Sequence, residues 1–241
     1  MQLDPQDAKA HNNLAIILLL QSRLEEAETS LRQAIKLKPD LAEAHNNLGI
    51  IFQKHRKFTE ACSAYIQAIN FNPDFTDAYE NLGMVIKKVR FNSSNVELYP
   101  LLIRLLSIGN FVRPRDLATS ILSLLKHDSL IKNLLLEKNF ATNLKEANSI
   151  IGSLDKLKLL HHLMRVCPLP DLQFEKFFVT MRSLILTNLD NIEASPEIIY
   201  FLSTLSLHCF TNEYVYFEKD KEAELIKSCL LYTSDAADDL G

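Results

Sequence analysis

Apolar residues in the first third of the chain recur at helical spacing. Over residues 42–55, Leu48, Gly49 and Phe52 stand at i, i+1 and i+4 and form one apolar stripe. Over residues 58–70, Ala61, Tyr65 and Ala68 stand at i, i+4 and i+7 and form another, and Asn72-Pro73 closes the segment. The pattern predicts two antiparallel helices, A and B. Gly49 lacks a side chain, so helix B can approach closely there, and the small–large–small order on helix B lets Tyr65 fill the gap. No stretch alternates cleanly with a period of two, so no sheet is expected and the fold class is all-α.

The pattern itself repeats. Residues 42–75 fall on residues 8–41 when shifted back by 34 positions. His-Asn-Asn-Leu recurs at His11–Leu14 and His45–Leu48, Glu-Ala at Glu26–Ala27 and Glu60–Ala61, Ala-Ile at Ala34–Ile35 and Ala68–Ile69, and Pro-Asp at Pro39–Asp40 and Pro73–Asp74. A fixed period of this size means stacked helical units, each burying its apolar face against the next. Residues 76–90 start a third unit with Tyr79, Leu82, Gly83 and Ile86 in register, but Phe91-Asn92-Ser93-Ser94 interrupts it and no Glu-Ala follows. Leu3-Asp4-Pro5 looks like the end of an earlier unit, which would make Met1 an internal cut.

These residues resemble the tetratricopeptide repeat family. Its pattern is a large residue, Leu-Gly and an aromatic on helix A, then Ala, an aromatic and Ala on helix B, then Pro. The second unit matches with His45, Leu48, Gly49, Phe52, Ala61, Tyr65, Ala68 and Pro73. The first matches with His11, Leu14, Ala15, Leu18, Ala27, Leu31, Ala34 and Pro39. The resemblance implies a helical solenoid with no reactive centre, whose helices A line a concave groove for a peptide or partner segment. His11 and His45 are then packing residues rather than metal ligands.

One groove position in this family is the residue before the repeat Leu. Here it is Asn13, Asn47 and Asn81, with Asn12 and Asn46 beside them. An amide offers donors and an acceptor together, so it can hold the backbone of an extended peptide without reading its side chains. The row resembles the asparagine ladder in the repeat arm of O-linked N-acetylglucosamine transferases, although the sequence after Asn95 does not resemble that enzyme's catalytic region. The plain alternative is that these amides only face solvent. Lys9 and Glu43 share one outer position with opposite charge, so no charge clamp is evident there.

Beyond Asn95 the period is lost while helical patterning continues. Helices are expected over residues 98–107, 114–127, 128–137, 144–154, 155–166, 171–189 and 196–210, with Cys167-Pro168-Leu169-Pro170 as a break. The organisation is therefore repeats over residues 1–90 (units 8–41 and 42–75, and a partial 76–90), an irregular helical domain over 91–228 that caps the stack, and a tail, 229–241. Val112-Arg113-Pro114-Arg115-Asp116-Leu117, Leu122–His127 and Cys209-Phe210-Thr211-Asn212-Glu213-Tyr214-Val215-Tyr216 resemble a helical segment of bacterial proteins. Those proteins carry tetratricopeptide repeats followed by an S-adenosylmethionine-dependent methyltransferase domain. Such a domain needs a glycine-rich turn after a strand, and Gly49, Gly83, Gly109 and Gly152 are isolated. The resemblance thus implies a substrate-recruiting fragment without its catalytic part. A glycine-rich turn in the gene beyond Lys227 would support that reading, and a stop codon would support a scaffold. Cys209 and Glu213 lie one turn apart, but no His supports a nucleophilic pair, since His208 falls on another face.

Composition narrows the function further. The 241 residues are 47% hydrophobic and 23% charged, as in a folded globular chain, and carry a formal charge of −4 without a dense basic run, which argues against nucleic acid as a partner. The apolar run 14–20 is too short to span a membrane, and no signal peptide precedes it. Cys62, Cys167, Cys209 and Cys229 form no close pair, as in a cytoplasmic protein with free thiols. Residues 229–239, CLLYTSDAADD, resemble a translated sequencing-library adapter; the tail is expected to be unpacked, and its Asp235, Asp238 and Asp239 account for most of the net charge. The expected protein is a non-enzymatic interaction scaffold that needs no cofactor and no metal.

Overall fold

The structure is a computed structural model. It describes residues 7–108, 112–136, 144–188 and 195–211. The tail at 229–241, residues 212–216 of the stretch that resembles the methyltransferase-linked segment and the side chain of Cys209 lie outside the described residues.

Among the described residues every regular element is helical. In order they are α1 (Ala8–Leu20), α2 (Leu24–Leu37), α3 (Ala42–Lys54), α4 (Phe58–Phe71), α5 (Thr76–Ile86), α6 (Tyr99–Ile108), α7 (Pro114–Leu125), α8 (Ser129–Leu136), α9 (Leu144–Leu154), α10 (Lys158–Val166), α11 (Leu172–Leu186) and α12 (Pro196–Thr211). A single 3-10 turn, Val96–Leu98, leads into α6. The chain falls into two compact units: residues 1–90 with 108–120, and residues 91–107 with 121 onward.

In the first unit α1 and α3 are helices A, and α2 and α4 are helices B. Each packs on its own partner, and α2 meets α3 as α4 meets α5. The repeat positions form the core. Ala15, Ala27, Leu31, Ala34, Ala61, Tyr65, Ala68 and Leu82 are fully buried, Leu18, Leu48, Gly49 and Gly83 are buried, and Leu14 and Phe52 are half-buried against them. Pro39 and Pro73 are exposed just past the ends of α2 and α4, where a residue without an N–H halts helix growth. Two polar bonds tie helix B to helix A across this core. The Ser30 hydroxyl donates to the His11 carbonyl at 2.8 Å, and the Tyr65 hydroxyl donates to Gln53 Oε1 at 2.9 Å.

The turn from helix A to helix B has the same geometry in both full repeats. Ser22 and Arg56, 34 positions apart, each take φ 60°. The next amide then reaches back five residues, from Arg23 N to the Leu18 carbonyl and from Lys57 N to the Phe52 carbonyl, both at 2.9 Å. This is a Schellman closure, most often built on glycine, and here it is built on serine and arginine. After α5 the chain does not repeat that turn. Arg90 instead donates from Nη1 to Ser120 Oγ at 2.9 Å, tying the first part of α7 into the unit where a third helix B would have begun.

The second unit is organised by α12, which packs on α10 and α9, and by α11, which packs on α9 and α8. Its core is aromatic, with Phe174, Phe177, Phe178 and Phe201 all but inaccessible and Phe177 edge-on to Phe178 at 5.3 Å. Helix starts are held by acidic caps. Asp171 accepts from Gln173 N and Phe174 N at 3.1 and 3.3 Å and also meets Lys126 Nζ at 2.5 Å. Asp128 accepts from Leu130 N at 2.9 Å with one oxygen and from the buried Tyr99 hydroxyl at 3.0 Å with the other.

Candidate functional site

The two asparagines of each His-Asn-Asn-Leu motif have different surroundings. Asn12 and Asn46, expected beside the ladder as binding residues, are instead buried at 7% and 6% exposure between successive helices A. Each receives a hydrogen bond from the ladder residue of the next repeat: Asn47 Nδ2 donates to Asn12 Oδ1 at 2.9 Å, and Asn81 Nδ2 donates to Asn46 Oδ1 at 3.1 Å. Their place is explained by helix geometry, since neighbouring residues on a helix point about 100° apart and only one of the pair can face outward. Asn13 is exposed, and Asn47 and Asn81 are half-buried. The series of buried amides ends at Glu80, which occupies the same repeat position on α5 and is exposed.

This linkage fixes the rungs. An asparagine amide has two N–H donors and a carbonyl oxygen. Asn47 and Asn81 each commit one N–H to the previous helix, which restrains χ2 and leaves a second N–H and an acceptor oxygen for a ligand. The signal in the sequence was the 35-residue step from Asn12 to Asn47 and from Asn46 to Asn81, one more than the repeat.

A cavity of about 600 Å³ opens beside Asn81. Its wall continues through Ile50, Gln53 and Lys54 of α3, Arg56 and Phe58 at the start of helix B, and Lys88. The Gln53 carbonyl oxygen is occupied by Tyr65. Lys88 Nζ lies 5.5 Å from the centroid of the Phe58 ring, within cation–π range. Among the described residues no carboxylate lines this cavity. Sequence reading did not find it, because Arg56 lies in a turn and Lys54 and Lys88 are brought together only by the repeat.

Of the two repeat histidines, both half-buried, His45 has defined contacts. Its Nε2 lies 2.8 Å from the Pro39 carbonyl, and its ring meets Phe71 at 5.2 Å. Among the described residues no cluster of His, Cys, Asp or Glu has the makings of a metal site, and no helix is long and apolar enough to cross a membrane.

The second unit holds a cavity of about 450 Å³ lined by Ile103, Asp155, Lys158, His162 and Tyr200. Ser107 Oγ lies 3.1 Å from His162 Nε2, which has the look of a nucleophile and base. The hydroxyl has one proton, and it donates that proton to the Ile103 carbonyl at 2.8 Å. A proton committed to that carbonyl is not available to His162, so the Ile103 bond competes with activation of the serine.

Comparison with known proteins agrees with the repeat assignment. A family model described as "TPR repeat" matches residues 17–55, and models described as "Tetratricopeptide repeat" match residues 1–29 and 42–75. Residues 1–75 thus carry tetratricopeptide repeats. Among solved structures, the crystal structure of YrrB, a TPR protein with an unusual peptide-binding site, is similar over 85% of this chain and 92% of that one, at 14% identity and a TM-score of 0.34. A likeness that weak leaves the site to be argued from the residues themselves. No curated protein sequence matches the chain.

Proposed function

We propose that the helix A face of the repeats binds a peptide or an extended partner segment, and that Asn13, Asn47 and Asn81 grip its backbone. The observation that carries this reading is the hydrogen bonding of Asn47 and Asn81 to Asn12 and Asn46. A rung held from behind loses less side-chain entropy when it binds, and it presents one donor and one acceptor in a fixed direction. Those are the two groups that the N–H and C=O of an extended chain require. The scaffold acts by holding its partner, with no chemical step.

The test is to replace Asn13, Asn47 and Asn81 together with Ala and to measure affinity for a captured partner peptide. Each lost hydrogen bond is expected to weaken binding by about 1 kcal/mol, with the helical circular dichroism signal retained. Unchanged affinity for that peptide would refute the ladder.

A further inference from the structure

Three parallel rows run along the helix A face. Within each repeat the ladder Asn, the residue three positions on and the residue seven positions on share one side of the helix. They are Asn13, Ile16 and Leu20 in the first repeat, Asn47, Ile50 and Lys54 in the second, and Asn81 and Met84 in the third, where Lys88 takes the corresponding position in the turn just past the end of α5. The first row is amide throughout. The second is apolar throughout, with Ile16 40% and Met84 37% exposed and Ile50 half-buried. The third changes character along the stack: Leu20 is 82% exposed, whereas Lys54 and Lys88 are exposed cations. Arg56 adds a third cation at the same end, beside the cavity that contains Asn81.

These three cations share one cavity without a neutralising carboxylate among the described residues. Like charges held together repel, so the site gains when an anion enters. Lys88 is already steered there by the Phe58 ring. At the other end the face offers Ile16 and Leu20, large apolar groups with much of their surface in water.

We propose that the partner segment is an acidic peptide bound in one direction. Its aliphatic residues lie against Ile16, Leu20 and Ile50, and its Asp or Glu side chains enter the cavity formed by Lys54, Arg56 and Lys88. This rests on the groove reading above and adds the partner's chemistry and polarity. Opposite charge at one end and apolar contact at the other exclude the reversed orientation, because reversal would set carboxylates on Leu20 and aliphatics among the cations.

A display library of random short peptides panned against the full chain tests this. The expected winners carry Asp or Glu next to aliphatic residues. Synthesised with an acetylated start and an amidated end, they should bind at least tenfold more weakly to the Lys54→Glu/Lys88→Glu variant, and more weakly as salt is raised. If that variant melts early, Lys54→Gln/Lys88→Gln gives the same reading with a smaller loss. Winners without acidic residues that bind the charge-reversed variant equally well would overturn the acidic partner while leaving the groove intact. Winners that need a free C-terminal carboxylate would overturn the side-chain assignment. Winners indifferent to the triple Asn variant, or no winners at all, would overturn the groove and the acidic partner together.

Discussion

A methyl group on Gly49 would stand 2.5 Å from Cε1 of Tyr65. The ring cannot swing aside, because it is fully buried and its hydroxyl is held by Gln53. Gly49→Ala therefore sets two effects against each other. Helix propensity favours Ala by about 1 kcal/mol, and overpacking a buried ring costs about 1–3 kcal/mol. The clash is expected to win, lowering the urea midpoint. The first repeat shows the compensated pair, Ala15 with Leu31 in place of Gly49 with Tyr65, both buried. Gly49→Ala combined with Tyr65→Leu should thus be more stable than the sum of the two single changes, as a double-mutant cycle would show.

The buried amides are expected to matter for stability and the exposed one little. Asn12→Ala or Asn46→Ala removes the acceptor of an interhelical bond and should cost about 1 kcal/mol in urea unfolding. Asn13→Ala should change stability by less than about 0.5 kcal/mol. Both buried variants should also weaken peptide binding, because they release a rung that they do not themselves form.

Acid should loosen the second unit. Burial pushes His208 down to about 4, and burial also lowers His161. The folded state thus prefers the neutral rings, and the unfolded chain titrates near the ordinary histidine value of about 6.5. The stabilisation is complete above about pH 6.5 and is lost as pH falls from there toward 4, which for His208 amounts to about 3 kcal/mol. Thermal unfolding followed between those pH values should show a falling midpoint, and His208→Gln should flatten the slope.

The thiols should be slow to react. Burial pushes both Cys62 and Cys167 up to about 12, so each is protonated at neutral pH. Iodoacetamide labelling read by peptide mass spectrometry should be slow at both sites in the native protein and fast in urea. Fast native labelling of Cys167 would show that α10 opens readily.

Helices and repeat register were legible because they follow from single residues at fixed spacing. Leu48, Gly49, Phe52, Ala61, Tyr65 and Ala68 occupy the positions that their order implied, and α7, α9 and α12 begin where their patterns begin. Three other starts fall one residue late, and one is further off: the segment expected from residue 155 begins at Lys158, because Asp155–Leu157 form a turn whose Leu157 is buried like a helix-face residue. Periodicity cannot separate those cases. Nor could it separate Asn12 from Asn13, since both are amides on one helix and only the next repeat determines which is covered. The cationic cavity was hidden for a related reason. Lys54 and Lys88 are one repeat apart, and charge counted over the whole chain, −4, conceals a local excess of the opposite sign.

Arg56 sits in the left-handed region, where glycine would be unstrained and a residue with a Cβ costs about 1 kcal/mol. Its counterpart Ser22 adopts the same angle without a charge, so the turn itself has no need of arginine. Arg56→Gly should therefore raise the melting temperature while weakening the binding of acidic peptides. A consensus-based programme of stabilisation would choose that substitution early, and would gain a sturdier scaffold with a poorer grip.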